Sequence, residues 1–543
     1  MKISEAILKY LKENGVECIF GIPAGTVSPI FDSMNNIDIE LIITKNEAGA
    51  AYSAARYASM SKQLGVCIGA GGVGVNNMVN GIADAMRAKA PVLVITGYVN
   101  RWQIGKGAIQ ELDTKDILKP ITKYSNTILY EEMVPGELKK AIELALTPPM
   151  GPVHICIPVD IQGAQLPVEM PEKVDIARVR QIQFNRHSLQ KALDIINNEK
   201  YGIIMVGKGC RGMSEKVMKL SEHLQWPIIT TPEGKGVVHS DFYLNLGNYG
   251  FAGTDAADEY VEKGPATCIL ILGTSLGEPS TYNFNQMLVK GKKVIHVDWD
   301  IRELGKVFET DAKIHGDLEY VLTEIIRNCR KSNMIFNRPE LNKQYECNHT
   351  GLSLRLFLEQ ITRILPMDTR YVCDIGEYTN FVFKYLSIPE GGDFEVNINY
   401  GAMGSAIAGS LGAYMADAKK PLSIFAGDGS FFMNGAEVLT AKEYKLPIIY
   451  IISNNAMLGY VDRGHSFLYG RTLRGFRQER ISIADMMRSV GVKSMQIRCL
   501  DDMKYISTFI EKADGPCVIE LITDGSEPAP ILDRLKALRK STA

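Results

Sequence analysis

No stretch of this 543-residue sequence approaches the roughly 20 apolar residues that span a bilayer. The longest apolar runs, such as 447–452, are only strand-length. The first residues, Met1-Lys2-Ile3-Ser4-Glu5-Ala6, lack the basic stretch and apolar run of a secretory leader. An excess of one charge is missing too: 60 Lys and Arg stand against 62 Asp and Glu, a formal net charge of −2. That balance gives no electrostatic footprint for nucleic acid or a membrane surface, so neither is expected as a partner. The ten cysteines include no C-x-x-C pair, which argues against a zinc site. Cys67, Cys156 and Cys268 sit inside strand-like runs, so reduced core thiols in a cytoplasmic protein are the expectation.

What is present is an ordinary globular composition, 46% hydrophobic and 22% charged, which excludes a disordered chain. Strand-like runs at 65–69, 91–96, 153–158, 202–207, 267–273, 293–298, 423–427, 448–454 and 517–522 alternate with helix-period segments at 47–62, 212–224 and 434–444. Such alternation argues βαβ units and parallel sheets. Two stretches break it, a Pro-containing charged one at 166–185 and a polar one at 331–349. The expectation is an α/β chain of three doubly wound parallel-sheet domains at 1–165, 186–330 and 350–543, joined by those linkers.

The chemistry concentrates in Gly427-Asp428-Gly429-Ser430, followed after 24 intervening residues by Asn454-Asn455. A strand ends before Gly427, the glycines let the backbone turn tightly, and N–H groups at a helix start can cradle a diphosphate. Asp428 supplies a hard oxygen, and an amide oxygen from Asn455 can supply a second. Magnesium prefers such ligands together with phosphate oxygens.

This spacing resembles the diphosphate–magnesium motif of thiamine diphosphate-dependent enzymes, and the likeness looks closest to the acetolactate synthase branch. The resemblance implies that the three domains are pyrimidine-binding, central and diphosphate-binding. It implies that the Met457 carbonyl joins Asp428 and Asn455 on magnesium, and that Gly376, Gly401, Met403, Gly427, Gly429 and Ser430 contact thiamine diphosphate. Met403, which would otherwise read as core filler, is implied to brace the bent cofactor. Glu47, between a strand and a small-residue helix, stands where the family's activating carboxylate stands; the plain alternative is a helix-start carboxylate favoured by the dipole. Gln110, in Ala108-Ile109-Gln110-Glu111, and Gly25, in Phe20-Gly21-Ile22-Pro23-Ala24-Gly25, resemble the substrate-side loops. A site shared between subunits of a homodimer or homotetramer is implied as well.

There are departures. Gly71 and Val73 replace the family's usual Ser and Pro. Glu377 would set a carboxylate near a diphosphate, unfavourable unless it pairs with a cation or turns away. The stretch 273–279 has no Arg where flavin-binding relatives carry two, so no FAD is expected; Lys123 is the remaining basic position, read as a surface or interface charge. The first domain's one histidine, His154, reads as strand core, so no decarboxylase-type general acid is visible. Gly464 stands where acetolactate synthases have Trp, which leaves room for an acceptor larger than pyruvate, with Arg463 or His465 as a polar contact or as a solvated helix surface. The expected reaction is decarboxylation of a 2-oxo acid and ligation of the acyl unit to an acceptor carbonyl. The alternatives are a lyase or hydrolase for a 2-hydroxyacyl-CoA or diketone, and a non-catalytic scaffold retaining the fold.

Overall fold

A computed structural model describes residues 1–182, 184–338, 351–531 and 535. Much of the expected second linker, from 339 on, and Cys347 lie outside the described residues. Among the described residues eighteen strands form three six-stranded sheets, and every paired neighbour is parallel. The first sheet contains β1 (Cys18–Gly21), β2 (Glu40–Ile43), β3 (Gly65–Gly69), β4 (Val92–Tyr98), β5 (Tyr124–Thr127) and β6 (Val153–Pro158). The second contains β7 (Gly202–Val206), β8 (Ile228–Thr230), β9 (Asn245–Asn248), β10 (Cys268–Leu272), β11 (Lys293–Asp298) and β12 (Ala312–His315). The third contains β13 (Arg370–Cys373), β14 (Asp393–Glu395), β15 (Leu422–Gly427), β16 (Ile448–Asn454), β17 (Lys493–Ile497) and β18 (Cys517–Ile522).

The first and third sheets share one strand order, β2-β1-β3-β4-β6-β5 and β14-β13-β15-β16-β18-β17. The second runs β12-β11-β10-β7-β8-β9, the doubly wound order whose switch point falls between β7 and β10. Central strands are buried on both faces, which is why they read as unbroken apolar runs. Cys67, Cys156 and Cys268 are free and buried in those strands. His154 is buried between Thr96 and Ser125, at 2.8 and 2.9 Å, and burial lowers its pKa to about 3. Lys123 is no surface charge: its ammonium is partly buried on the carbonyls of Leu144 and Thr147, closing the C-terminal end of the Val134–Leu146 helix.

The Glu47–Ser61 helix fastens the first domain to the third. Its small residues let backbones approach closely: a Cβ on Gly412 would lie 1.8 Å from the Ser53 carbonyl oxygen. Ser53 donates to the Ala408 carbonyl at 2.8 Å. One apolar cluster contains Ala50, Ala54 and Met78 of the first domain with Ile407, Leu411 and Phe431 of the third. All three domains meet at Glu395, whose buried carboxylate takes Arg56 at 3.1 Å, Ser59 at 2.7 Å and Arg211.

Candidate active site

The cradle at the carboxyl edge of the third sheet is built by two adjacent strand ends. β15 stops at Gly427, and the Asp428–Asn434 helix starts at once. Asp428 accepts from its neighbour Gly429 N–H at 2.8 Å and from Ala456 N–H at 2.7 Å, so one carboxylate ties the end of β15 to the end of β16. Burial raises its pKa and these bonds oppose the rise. Ala456 has φ +55°, a left-handed turn that folds the chain back, and Asn455 Oδ1 receives Met457 N–H at 3.1 Å. Asn454 does different work: its amide holds the Ile481 carbonyl and the Glu520 carboxylate.

Gly376, Met403, Gly427, Asp428, Asn455 and Met457 line one cavity together with Gly429 and Ser430. The glycines keep it open, since a Cβ on Gly429 would come within 3.1 Å of the Met403 methyl and one on Gly427 within 3.0 Å of the Tyr378 ring. Tyr378 lines the same cavity, and its buried hydroxyl has no hydrogen-bond partner among the described residues. An orphaned donor, a carboxylate and an amide around a cleft fit an anion bridged by a hard cation. Among the described residues no cluster of three His, Cys, Asp or Glu could hold a metal by itself. Phosphate oxygens would therefore have to complete such a site. Gly401 lies outside this lining, in the preceding loop, where φ +78° favours glycine.

The resemblance sets Asp374 within the stretch 374–378, where the family adds diphosphate contacts, without giving it a role of its own. Asp374 is fully buried at the end of β13 and accepts from Ile375 N–H, Gly404 N–H, Ala406 N–H and Ser430 Oγ at 2.7 to 2.9 Å. It thus locks the Met403 loop against the Asp428 helix, and it commits the Ser430 hydroxyl, leaving that residue's backbone for a ligand. Glu377 is resolved by pairing: it holds Arg463, which also donates to the carbonyls of Gly525 and Glu527 at 2.7 and 3.0 Å. Burial pushes the Glu377 pKa up, and Arg463 pulls it back. These bonds commit Nε and one terminal nitrogen of Arg463, and the side chain lines the same cavity as Asp428. His465 has its Nδ1 2.7 Å from the Arg471 carbonyl oxygen and lines the groove beside Gly464. Gly464 is buried on the same Gly459–Tyr469 helix, beside an apolar groove shared with Tyr460, Val461, Leu468 and Ile531. A Cβ there would meet no described atom within 4 Å.

The other half of the site gathers at the carboxyl edge of the first sheet. Asn46 caps the Glu47–Ser61 helix, its side chain accepting from Ala48 N–H at 2.8 Å, and Glu47 is the first helical residue. Glu47 receives the Asn77 amide at 2.9 Å, and Gly74 faces it closely, its ideal Cβ only 3.1 Å from Oε1. Gln110, at φ +65°, packs its backbone against Gly72, within a loop held by Glu111 on Gly107 and Ala108 N–H. Gly25 opens the turn after β1, and its neighbour Thr26 receives Gly71 N–H at 3.0 Å. Glu47, Gln110 and Gly25 do not line the Asp428 cavity of their own chain.

A second cavity, of about 570 Å³, opens between the first domain and the topological switch point of the central one, with Lys89 and Lys123 of the first domain in its wall. Lys208, Ser275, Asp298, Trp299, Arg302 and Lys306 are in its lining. The stretch 273–279 indeed brings no Arg, but cations reach the cavity from the loops after β7 and β11, so the ground for expecting no flavin covers one wall only.

A doubly wound domain flanked by two sheets of one topology, one edge bearing an anion cradle and the other a poised carboxylate, defines an α/β enzyme built around an anionic cofactor. Family models of the thiamine pyrophosphate enzymes match the chain in order: the N-terminal TPP binding domain at residues 1–117, the central domain at 189–325 and the C-terminal TPP binding domain at 374–521. These matches cover well over half of the chain, and the chain belongs to the thiamine pyrophosphate enzyme family. It is similar to a probable acetolactate synthase large subunit of Methanocaldococcus jannaschii, 29% identical over 98% of this chain and 93% of that one. It also resembles the acetolactate synthase large subunit of Lactococcus lactis, 29% identical over 96% and 93% of the two chains, and the isozyme 2 large subunit of Escherichia coli, 26% identical over 97% and 96%.

Proposed function

We propose that this enzyme decarboxylates a pyruvate-like 2-oxo acid and joins the acyl unit to the carbonyl of an acceptor, as the names of its relatives suggest. The observation that carries the reading is the pair of intact half-sites, the Asp428–Asn455 cradle and Glu47 at the start of its helix. Thiamine diphosphate, when bound, supplies the electron sink for loss of carbon dioxide. Asp428, Asn455 and the Met457 carbonyl would hold magnesium there, while backbone groups of Gly376, Gly427, Gly429 and Ser430 would line the diphosphate's seat. Met403 and Gly401 would contact the cofactor's rings, and Glu47 would offer its proton-accepting charge to the pyrimidine. Gln110 and Gly25 face the substrate.

The separation of Glu47 from its own chain's cavity supports a homodimer or homotetramer in which two chains complete each site. The working units are residues 1–165, 186–330 and 350–543, in a cytoplasmic enzyme. Among the described residues no helix is long and apolar enough to cross a membrane. The open groove at Gly464 supports a second reading, a lyase or hydrolase taking a bulkier 2-hydroxyacyl-CoA or diketone. Mass spectrometry of products from the cofactor- and magnesium-loaded protein, offered single 2-oxo acids and then pairs, tests both. Condensed hydroxy-acyl products uphold ligation. Cleavage of the larger compounds without condensation overturns it, and no turnover of either kind leaves a scaffold. The purified protein is expected to be colourless; flavin absorbance near one equivalent per chain would overturn that expectation.

A further inference from the structure

The segment that delivers Glu47 is gripped by a single element of the third domain, the Glu437–Glu443 helix with Tyr444 at its end. The buried carboxylate of Glu437 accepts the backbone N–H of Lys45 at 3.1 and 3.2 Å and that of Asn46 at 3.1 Å. Thr440 steadies it from one turn along at 2.8 Å. Tyr444 receives Ile43 N–H at 2.8 Å, and Lys45 Nζ pairs with Glu443 at 2.6 Å. Gly49 makes the approach feasible, because a Cβ there would fall 2.2 Å from Glu437 Oε1. Both gripped N–H groups lie within two residues of Glu47, ahead of its helix, where no intrahelical acceptor exists for them.

We propose that Glu437 is a positioning residue for Glu47, fixing from the third domain the backbone on which the activating carboxylate is carried. The inference rests on the role given to Glu47 above. A carboxylate serves here where an amide would not, because both of its oxygens accept and two N–H donors converge on it, whereas Gln offers one oxygen and places an N–H against Lys45. The only route by which Glu437 acts is the placement of Glu47, for its own oxygens are occupied by backbone N–H groups and Thr440. Displacing a reacting group by about 1 Å can cost on the order of 10²-fold in rate.

The test compares Glu437→Gln and Gly49→Ala with Glu47→Gln and with Glu47→Gln/Glu437→Gln. Turnover is measured alongside the rate at which bound thiamine diphosphate exchanges its C2 proton for deuterium, cofactor affinity and the melting midpoint of the cofactor-free protein. Glu437→Gln and Gly49→Ala are expected to lower kcat and C2 exchange about 10²-fold, with cofactor affinity and KM little changed. Glu437→Gln should add nothing once Glu47 is Gln. The Gly49→Ala variant keeps every charged group, so its loss separates placement from charge. Full C2 exchange in both variants, or losses that multiply in the double variant, would overturn the proposal. Near-full activity of Glu47→Gln itself would instead overturn the reading beneath it.

Discussion

At the scale of single residues, the site's charges are set by what each carboxylate is asked to face. Asp374, Asp428 and Glu437 are all buried, and each is satisfied by converging N–H or O–H donors rather than by an Arg or Lys. Glu47 differs, holding only the Asn77 amide among the described residues. It therefore has acceptor capacity left for a ligand. Glu47→Gln keeps the size and removes the charge, so turnover should fall by roughly 10²–10⁴-fold, the usual range for a general acid–base group. A circular dichroism spectrum matching the parent would show the fold intact; near-full turnover would remove Glu47 from the mechanism. Asp428→Ala should lose bound cofactor on gel filtration and become indifferent to chelator, because the bridging cation loses its hard ligand. Equal retention with and without chelator in the parent protein as well would contradict a metal bridge. The pieces of this site that are contiguous, such as Gly427–Ser430 and the Asn pair, were legible in the sequence because the chemistry needs them adjacent. Asp374 and Glu437 were not, since their partners lie 56 and 391 residues away and no local pattern marks an acidic residue that will receive distant N–H groups.

At the scale of elements, the nine apolar runs that stood out in the sequence are all strands with neighbours on both sides, although the interior β1, β8 and β13 were not among them. The run read at 91–96 extends to Tyr98, and the others fall on their strands within a residue or two. The edge strands stayed hidden. β5 is Tyr-Ser-Asn-Thr and half-exposed throughout, and β17 begins at Lys493 with one buried residue. An edge faces water and has one partner, so the pattern that reveals a strand is absent there. The helix read as one segment at 434–444 begins at Glu437, and a separate helix, Asp428–Asn434, precedes it. The Gly459–Tyr469 helix carries the specificity argument. Its residue 463 neutralises Glu377, and its residue 464 is a glycine open to the groove. An indole placed there would cover something like 150–250 Å² of surface. Gly464→Trp should thus shift products toward the smallest acceptor when pyruvate competes with bulkier oxo acids or aldehydes, while the parent favours the bulkier ones. A product ratio unmoved by Gly464→Trp, with pyruvate self-condensation dominant in the parent, would separate this groove from acceptor choice.

At the scale of the whole molecule, one buried charge joins all three domains, beside the pairwise apolar and ionic ties between them. Glu395, on β14 of the third domain, receives Arg56 from the first and Arg211 from the second, and Arg211 also reaches Asp393 at 3.4 Å. The Glu395 side chain is 1% exposed and that of Arg56 3%. Burial opposes ionisation of Glu395, but Arg211 and then Arg56 outweigh it and draw its pKa down to about 2. Because this carboxyl is lower in the folded protein than its unfolded value of about 4.3, its stabilisation is complete above that value. It is lost as the pH falls toward about 2. Glu395→Gln would take the paired carboxylate from the buried Arg56 guanidinium and leave Arg211 with Asp393 alone, a loss of about 3–5 kcal/mol by the measure of broken buried pairs. The expected outcome is a melt displaced by several degrees at neutral pH. The gap from the parent protein should then shrink as both are acidified from pH 5 toward pH 3, where the parent begins to lose the same contribution. A constant gap across that range would mean that packing, rather than this charge, holds the junction. No gap at pH 7 would mean that the other ties between the domains suffice without this charge, among them the seat of the Glu47–Ser61 helix on the third domain and the pairs of Lys89 with Asp300 and Lys384 with Asp255.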